Sequence, residues 1–320
     1  YVPNVVKAIE DGNAKLPGGS KKRINLVGFA VGNGYTDWQL DFNANVENGR
    51  FHALTSQSLF DKANSACDGN YARCFWPRPD KTCPAGCDAA VQKATENAMD
   101  GAIDIYDIYE DVCLEKDKER VRTQMFQLLE ERRKHRQRHH LLGGTEISPI
   151  FPTCIDNYVG KYLNTPEIQK AIGIRDGTVP NGKWTQCSPS LNYTFNYESE
   201  LPNYKQWVKE GKLEILIYNG DADYILSHMG NAAWINNGLG LPKQAEWAAW
   251  RGSDKQVAGY FEQYKTAGRP LTFLTVKGAG HMVPKDRPRH ALDMLTQFLG
   301  GTEGYAKVAP ANETPLCPTA

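Results

Sequence analysis

Three short apolar runs constrain the fold more than any other feature of this 320-residue sequence. They are Ile24 to Val31 (Ile-Asn-Leu-Val-Gly-Phe-Ala-Val), Leu213 to Tyr218 (Leu-Glu-Ile-Leu-Ile-Tyr) and Leu271 to Val276 (Leu-Thr-Phe-Leu-Thr-Val). Each has strand length and runs into a glycine-containing turn followed by a helical pattern. Segments that are apolar at most positions suit strands buried on both faces of a parallel sheet, and repetition of strand, turn and helix predicts an α/β architecture. Two helices frame it. The first starts at Tyr1 with Pro3 in its opening turn, presents Val5, Val6 and Ile9 on one face and stops at Gly12-Asn13. The last runs from Arg287 to Leu299, with Leu292, Leu295, Phe298 and Leu299 as its expected apolar face, before Gly300-Gly301 ends it.

The chain exceeds the size at which a single core stops growing, so a large domain with an insertion, or two domains, is expected. Lysine plus arginine equals aspartate plus glutamate at 37 each. That balance leaves no electrostatic footprint for nucleic acid or an anionic membrane. No run reaches the ~18 apolar residues of a spanning helix. No signal peptide is visible, and Tyr1 in place of Met is read as a processed chain or a fragment. Between residues 50 and 205 the character changes: cysteines concentrate, and a polar helix runs into the basic stretch 132–140. That stretch cannot be core; it reads as a solvated helix end or loop, or as a protease-sensitive excision linker near 130–142.

Eight cysteines are present, at 67, 74, 83, 87, 113, 154, 187 and 317. A zinc reading of Cys83 and Cys87 lacks further ligands at short spacing, which leaves disulfides as the favoured reading and predicts no metal. The sequons at Asn192 and Asn312 point to the same oxidising, glycosylating secretory route.

Acid and base candidates follow two of the apolar runs. Asn219-Gly-Asp-Ala-Asp223 follows the second, and Lys277-Gly-Ala-Gly-His281 follows the third. Both lie where open α/β sheets place their sites, at the carboxyl ends of strands. A carboxylate that accepts from one imidazole nitrogen fixes the tautomer, and the other nitrogen can then take a proton from a hydroxyl nucleophile. A loop Asp alone is more often a turn former, which is the reading given to Asp221, and a lone His is more often structural. The order Asp then His matches the end of the α/β-hydrolase order Ser, Asp, His. The nucleophile is missing: none of the ten serines has glycine two positions away on both sides, as a nucleophile elbow requires. Gly32-Asn-Gly34 and Gly278-Ala-Gly280 also lack the third glycine of a dinucleotide fingerprint.

With these motifs in hand, the sequence resembles the serine carboxypeptidase family, of the carboxypeptidase Y and cathepsin A kind. The resemblance rests on Gly28-Phe-Ala-Val-Gly-Asn-Gly34 with Thr36-Asp37, on Pro152-Thr-Cys154 with Tyr162-Leu-Asn-Thr-Pro166, and on Trp184-Thr-Gln-Cys187-Ser188. It rests most specifically on Asn219-Gly-Asp-Ala-Asp223 and Gly280-His281-Met-Val-Pro284. It implies an α/β-hydrolase fold with core segments 1–49 and 206–320 and an inserted cap at 50–205. It further implies a peptidase that releases C-terminal residues through an acyl-enzyme, with no cofactor and with free-C-terminus peptides as partners. A homodimer is left open. Asp223 would be the orienting acid and His281 the general base, with Met282 at the leaving-residue pocket and Ile225, Leu226 and Tyr35 lining the pocket for the penultimate residue.

The nucleophilic Ser, the oxyanion-hole donors and the carboxylate-recognising groups would lie before Tyr1, leaving the chain alone inactive. Cys67, Cys74, Cys83 and Cys87 suggest two local bridges, nested as 67 with 87 and 74 with 83, though three connectivities are open. Cys113 would close onto Cys154. Cys187 would pair with a cysteine outside the chain, and Cys317 has no counterpart. The compartment implied is lysosomal, vacuolar or extracellular. Competing expectations are a same-family acyltransferase or hydroxynitrile lyase, and a non-catalytic secreted scaffold.

Overall fold

A computed structural model of the protein describes residues 1–74, 82–100, 102–113, 155–175, 183–185 and 199–300. The basic run at 132–140, Cys154, Cys187, Cys317 and both sequon asparagines lie outside the described residues.

Five strands form one mixed sheet: β1 (Gly28–Gly32), β2 (Glu214–Gly220), β3 (Lys243–Arg251), β4 (Val257–Tyr264) and β5 (Leu271–Val276), in the order β1-β2-β5-β4-β3. β1, β2 and β5 run parallel, while β4 is antiparallel to both β5 and β3. The three apolar runs of the sequence are therefore the three parallel strands. β5 is buried along its whole length, as a run apolar on both faces requires. Successive residues of β2 serve opposite faces of the sheet. Ile215 and Ile217 pack with Phe29, Trp207, Trp234 and Phe273, whereas Leu216 packs with Trp250, Leu274, Ala291 and Met294 on the other side.

Helix α1 (Val2–Ala14) and helix α7 (Leu201–Glu210) cover the first face through Val6, Tyr204 and Trp207. The second face is covered by α9 (Val283–Asp286) and α10 (Pro288–Leu299). Here one expectation is corrected. Ala291, Met294 and Phe298 face the core from α10, while Leu292, Leu295 and Leu299 are exposed, at 64%, 44% and 74% of their surface. The helix has two apolar stripes, and the smaller side chains and the flexible Met fit against the sheet. β1 also starts later than the apolar run suggested, because the Asn13 side chain bonds both backbone groups of Ile24 and keeps it out of the ladder.

Between β1 and β2 lie α2 (Trp38–Phe51), α3 (Gln57–Cys67), α4 (Cys87–Met99), α5 (Ile155–Leu163) and α6 (Pro166–Ala171). Asp37 caps α2 by accepting from Leu40 N at 3.0 Å, and Ser56 caps α3 by accepting from Leu59 N. Cys67 pairs with Cys87 and Cys74 with Cys83, the nested arrangement. Around them Val46, Ala63, Tyr71, Val91 and Ala94 form a third small core, so the Cys67–Cys87 bridge staples α3 to α4 and Val46 packs α2 against the pair. Cys113 is also disulfide-bonded.

The chain divides into two compact units, residues 1–110 with 197–320, and residues 111–196. Residue 50 lies within α2, whose Val46 belongs to the disulfide core and whose Gly49 meets Tyr224 beside Asp223. In the second unit, α5 ends on Asn164, whose side chain donates to Trp184 O and accepts from Trp184 N, pinning that tryptophan.

Candidate active site

Asp223 and His281 meet at the carboxyl edges of the adjacent parallel strands β2 and β5. The ladder runs as far as Gly220 opposite Val276, and both chains turn immediately afterwards. The two loops are then bonded to each other: Ala222 N donates to Ala279 O at 2.8 Å, and Gly278 N donates to Asp221 Oδ1 at 2.7 Å. Glycine at 220 is required by this approach, since a Cβ there would stand 2.0 Å from Gly280 O. Asp221 is thus a cross-link between the loops, and burial pushes its carboxyl above the ordinary aspartate range.

The reactive geometry is compact. His281 Nδ1 lies 2.8 Å from Asp223 Oδ2. Asp223 is completely buried, yet its oxygens are fully engaged. Oδ2 also accepts from Asn33 Nδ2 at 2.8 Å, and Oδ1 accepts from the backbone N–H groups of Ile225 and Leu226 at 3.1 and 3.2 Å. Four donors on a buried carboxylate lock its orientation. With the carboxylate accepting at Nδ1, the imidazole carries its proton there, and Nε2 is left with its lone pair. The His281 side chain is 28% exposed, and Nε2 has no hydrogen-bond partner among the described residues, so the basic nitrogen is reachable. Such a pair can withdraw a proton from a hydroxyl and return it to a leaving group.

Asn33 was not singled out by sequence reasoning, although its Gly-Asn-Gly turn was noted. Its side chain also accepts from Gly220 N, its backbone N–H donates to Tyr218 O, and its φ is 43°. Asn48 is a second such residue: from α2 it donates to the backbone carbonyls of Asp223 and Tyr224.

Ile225 and Leu226, expected as pocket residues, are half-buried and serve the site first through their backbone donors. Met282 directly follows His281 and is 58% exposed. Tyr35 packs its ring against Trp38 and Phe42. Two clusters bring metal-type ligand atoms together among the described residues. Cys74, Cys83 and Cys87 have their sulfurs in disulfides. Asp107, Glu110 and Asp286 surround Lys285, whose ammonium pairs with Glu110 and Asp286. Burial pushes Asp107 up to about 6 and raises Asp286 as well.

Comparison with known proteins decides the family: the family model for serine carboxypeptidases matches residues 1–301. The chain belongs to the serine carboxypeptidase family. Serine carboxypeptidase 24 of Arabidopsis thaliana is 34% identical over 310 residues, covering 95% of this chain and 59% of that protein. Serine carboxypeptidase 1 of Hordeum vulgare is 28% identical, covering 95% and 61% respectively. Among solved structures, Kex1Δp, a prohormone-processing carboxypeptidase from Saccharomyces cerevisiae, matches with a TM-score of 0.60 at 16% identity, covering 94% of this chain and 59% of that one. This likeness shows the shared α/β-hydrolase fold. The chain spans about three-fifths of the length of these serine carboxypeptidase relatives. Among the described residues no helix is long and apolar enough to cross a membrane.

Proposed function

We propose that this chain supplies the acid–base half of a serine carboxypeptidase site, with His281 as general base and Asp223 as its orienting acid. The observation that carries the reading is the 2.8 Å contact of His281 Nδ1 with a buried, four-donor Asp223 carboxylate, with Nε2 left reachable. The nucleophile is a Ser outside this chain, since none of the ten serines here has the glycine flanks of an elbow. Its Oγ attacks the carbonyl of the last peptide bond while Nε2 takes the hydroxyl proton, giving a tetrahedral adduct. On collapse, Nε2 returns that proton to the amine of the departing C-terminal residue, and an acyl-enzyme ester remains. Water, deprotonated by the same nitrogen, attacks the ester, the acyl C–O bond breaks, and Nε2 returns the proton to Oγ as the shortened peptide leaves as its carboxylic acid.

Met282, next in chain to the base, faces the leaving residue, and Ile225, Leu226 and Tyr35 line the pocket for the penultimate side chain. The disulfides of α3 and α4 fit an oxidising route, and the reading extends to a glycosylated lysosomal, vacuolar or extracellular enzyme.

The test is labelling with a serine-directed fluorophosphonate, together with release of C-terminal residues from blocked dipeptides. Both are expected from the protein that carries the Ser-bearing segment, and neither from this chain alone. His281→Ala in the longer protein is expected to lower kcat at least about a thousandfold. Hydrolysis that survives that substitution contradicts the proposal.

A further inference from the structure

One segment touches both loops of the dyad without belonging to either. Residues 105–108 lie across the Asp223 and His281 loops and bond to each. Ile105 O accepts from Tyr224 N at 3.0 Å and from Ile225 N at 3.2 Å, and Ile108 N donates to Ala222 O at 3.1 Å. These three residues flank Asp223. Tyr106 O accepts from the backbone N–H of His281 itself at 2.7 Å. The segment is held in shape by its own turns, with Asp104 Oδ1 accepting from Tyr106 N and Asp107 Oδ1 from Tyr109 N. It lies so close that a Cβ on Gly280 would stand 2.3 Å from Tyr106 O and 2.5 Å from Asp107 Cβ.

The same residue that receives the His281 N–H also presents its ring to the imidazole. The Tyr106 and His281 rings stand edge to face, with centroids 5.3 Å apart and planes at 63°. An imidazole tethered at Nδ1 can still swing about the bond to its ring, so one hydrogen bond does not fix where Nε2 points. A ring packed steeply against the imidazole restricts that swing, at the cost of little freedom of its own.

We propose that Tyr106 is a positioning residue for His281: its carbonyl sets the backbone of the base and its ring, packed steeply against the imidazole, sets the imidazole plane, so that Nε2 is aimed while Nδ1 stays on Asp223. This rests on the reading of His281 as general base. The phenol hydroxyl plays no part in it; the ring does.

The test reads the imidazole directly, in this chain, and needs no turnover. In nitrogen-resolved proton NMR of the histidine rings, the wild type is expected to show a low-field His281 Nδ1–H resonance with Nε2 unprotonated. Tyr106→Phe is expected to keep it. Tyr106→Ala and Tyr106→Leu, the second of which keeps bulk but not the ring, are expected to speed exchange of that proton by about two- to tenfold and to broaden it. Backbone amide signals of Ile108 and Tyr224, which donate across the contact to Ala222 O and Ile105 O, report whether the segment stays docked, and Tyr106→Leu guards against collapse at the alanine. A wild-type His281 resonance in a docked Tyr106→Leu protein overturns the proposal, and so does its loss in Tyr106→Phe. Survival of the resonance in Asp223→Asn would instead overturn the dyad, whatever Tyr106 does.

Discussion

Asn33 holds a left-handed backbone conformation, with φ of 43°, at the end of β1, a conformation that asparagine tolerates better than most residues. From there one amide does two jobs: its nitrogen donates to Asp223 Oδ2, and its oxygen accepts from Gly220 N, where β2 ends. The side chain thus couples the end of one strand to the acid that follows the next. Removing it takes a charge-assisted hydrogen bond from a fully buried carboxylate. Asn33→Ala is expected to destabilise the chain by about 1.5–3 kcal/mol, seen as a lower urea midpoint at unchanged slope. Asn33→Asp should cost more, because it sets a second carboxylate within contact of a buried one. If the alanine variant unfolded at the wild-type midpoint, the hydrogen bond would carry no net stabilisation.

At the scale of elements, the packing of α2 on α8 (His228–Ala233) buries two groups that titrate in opposite senses. Asp41 on α2 is buried against Gly230, a residue without a side chain, and accepts from Thr36 N and Asp37 N at 2.7 Å. Burial outweighs those two donors and pushes Asp41 up to about 7. On α8, burial first and the neighbouring His52 second push His228 down to about 4. Between about pH 4 and 7 the folded chain holds a proton on Asp41 that the unfolded chain releases, so this contribution to stability falls as pH rises. Between about pH 4 and 6.5 the unfolded chain protonates His228 and the folded chain does not, so that contribution rises with pH. The two slopes oppose each other, while the raised carboxyls of Asp107, Asp221 and Asp286 add a downward slope common to the wild type and both variants below. Relative to the wild type, calorimetric Tm profiles are expected to tilt upward with pH in Asp41→Asn and downward with pH in His228→Gln. Parallel profiles for all three proteins would contradict the assignment.

The same scale shows what the sequence made legible. β2 and β5 could be read because both faces of each are buried and their side chains say so. Asp223 and His281 stood out because each follows such a run. β3 was hidden: an edge strand of mostly exposed residues, with Lys243, Glu246 and Ala248 along it, has no apolar pattern to detect. Asn33 and Tyr106 were hidden for another reason. Their roles arise from contacts with residues 190 and 175 positions away, Asp223 and His281, which a local motif cannot encode. On α10, periodicity found the leucine stripe, but the fit of Ala291 and Met294 to the sheet decided which stripe faces inward.

Across the whole molecule, burial falls from β5 outward, and the two edges of the sheet differ in kind. β3 is mostly exposed, carries Lys243, Glu246 and Arg251, and is irregular in register, and such an edge resists further pairing. β1 is parallel and apolar, pairs only with β2 among the described residues, and is preceded by Ile24 and Val27, exposed at 56% and 50%. Parallel strands are ordinarily buried on both faces and paired on both sides, so an edge of this kind is a template for another strand. The described sheet has nothing on that side, and the chain matches about three-fifths of its relatives. Prepared by itself, the chain is therefore expected to self-associate through β1, with larger species growing in sedimentation velocity as concentration rises. Ile24→Lys combined with Val27→Lys places two charges beside the open edge while leaving the buried Phe29 and the dyad in place. That variant should sediment as a monomer with an unchanged Tm. Association that persists in it would move the contact elsewhere, with the exposed Leu292, Leu295 and Leu299 stripe of α10 the next surface to charge.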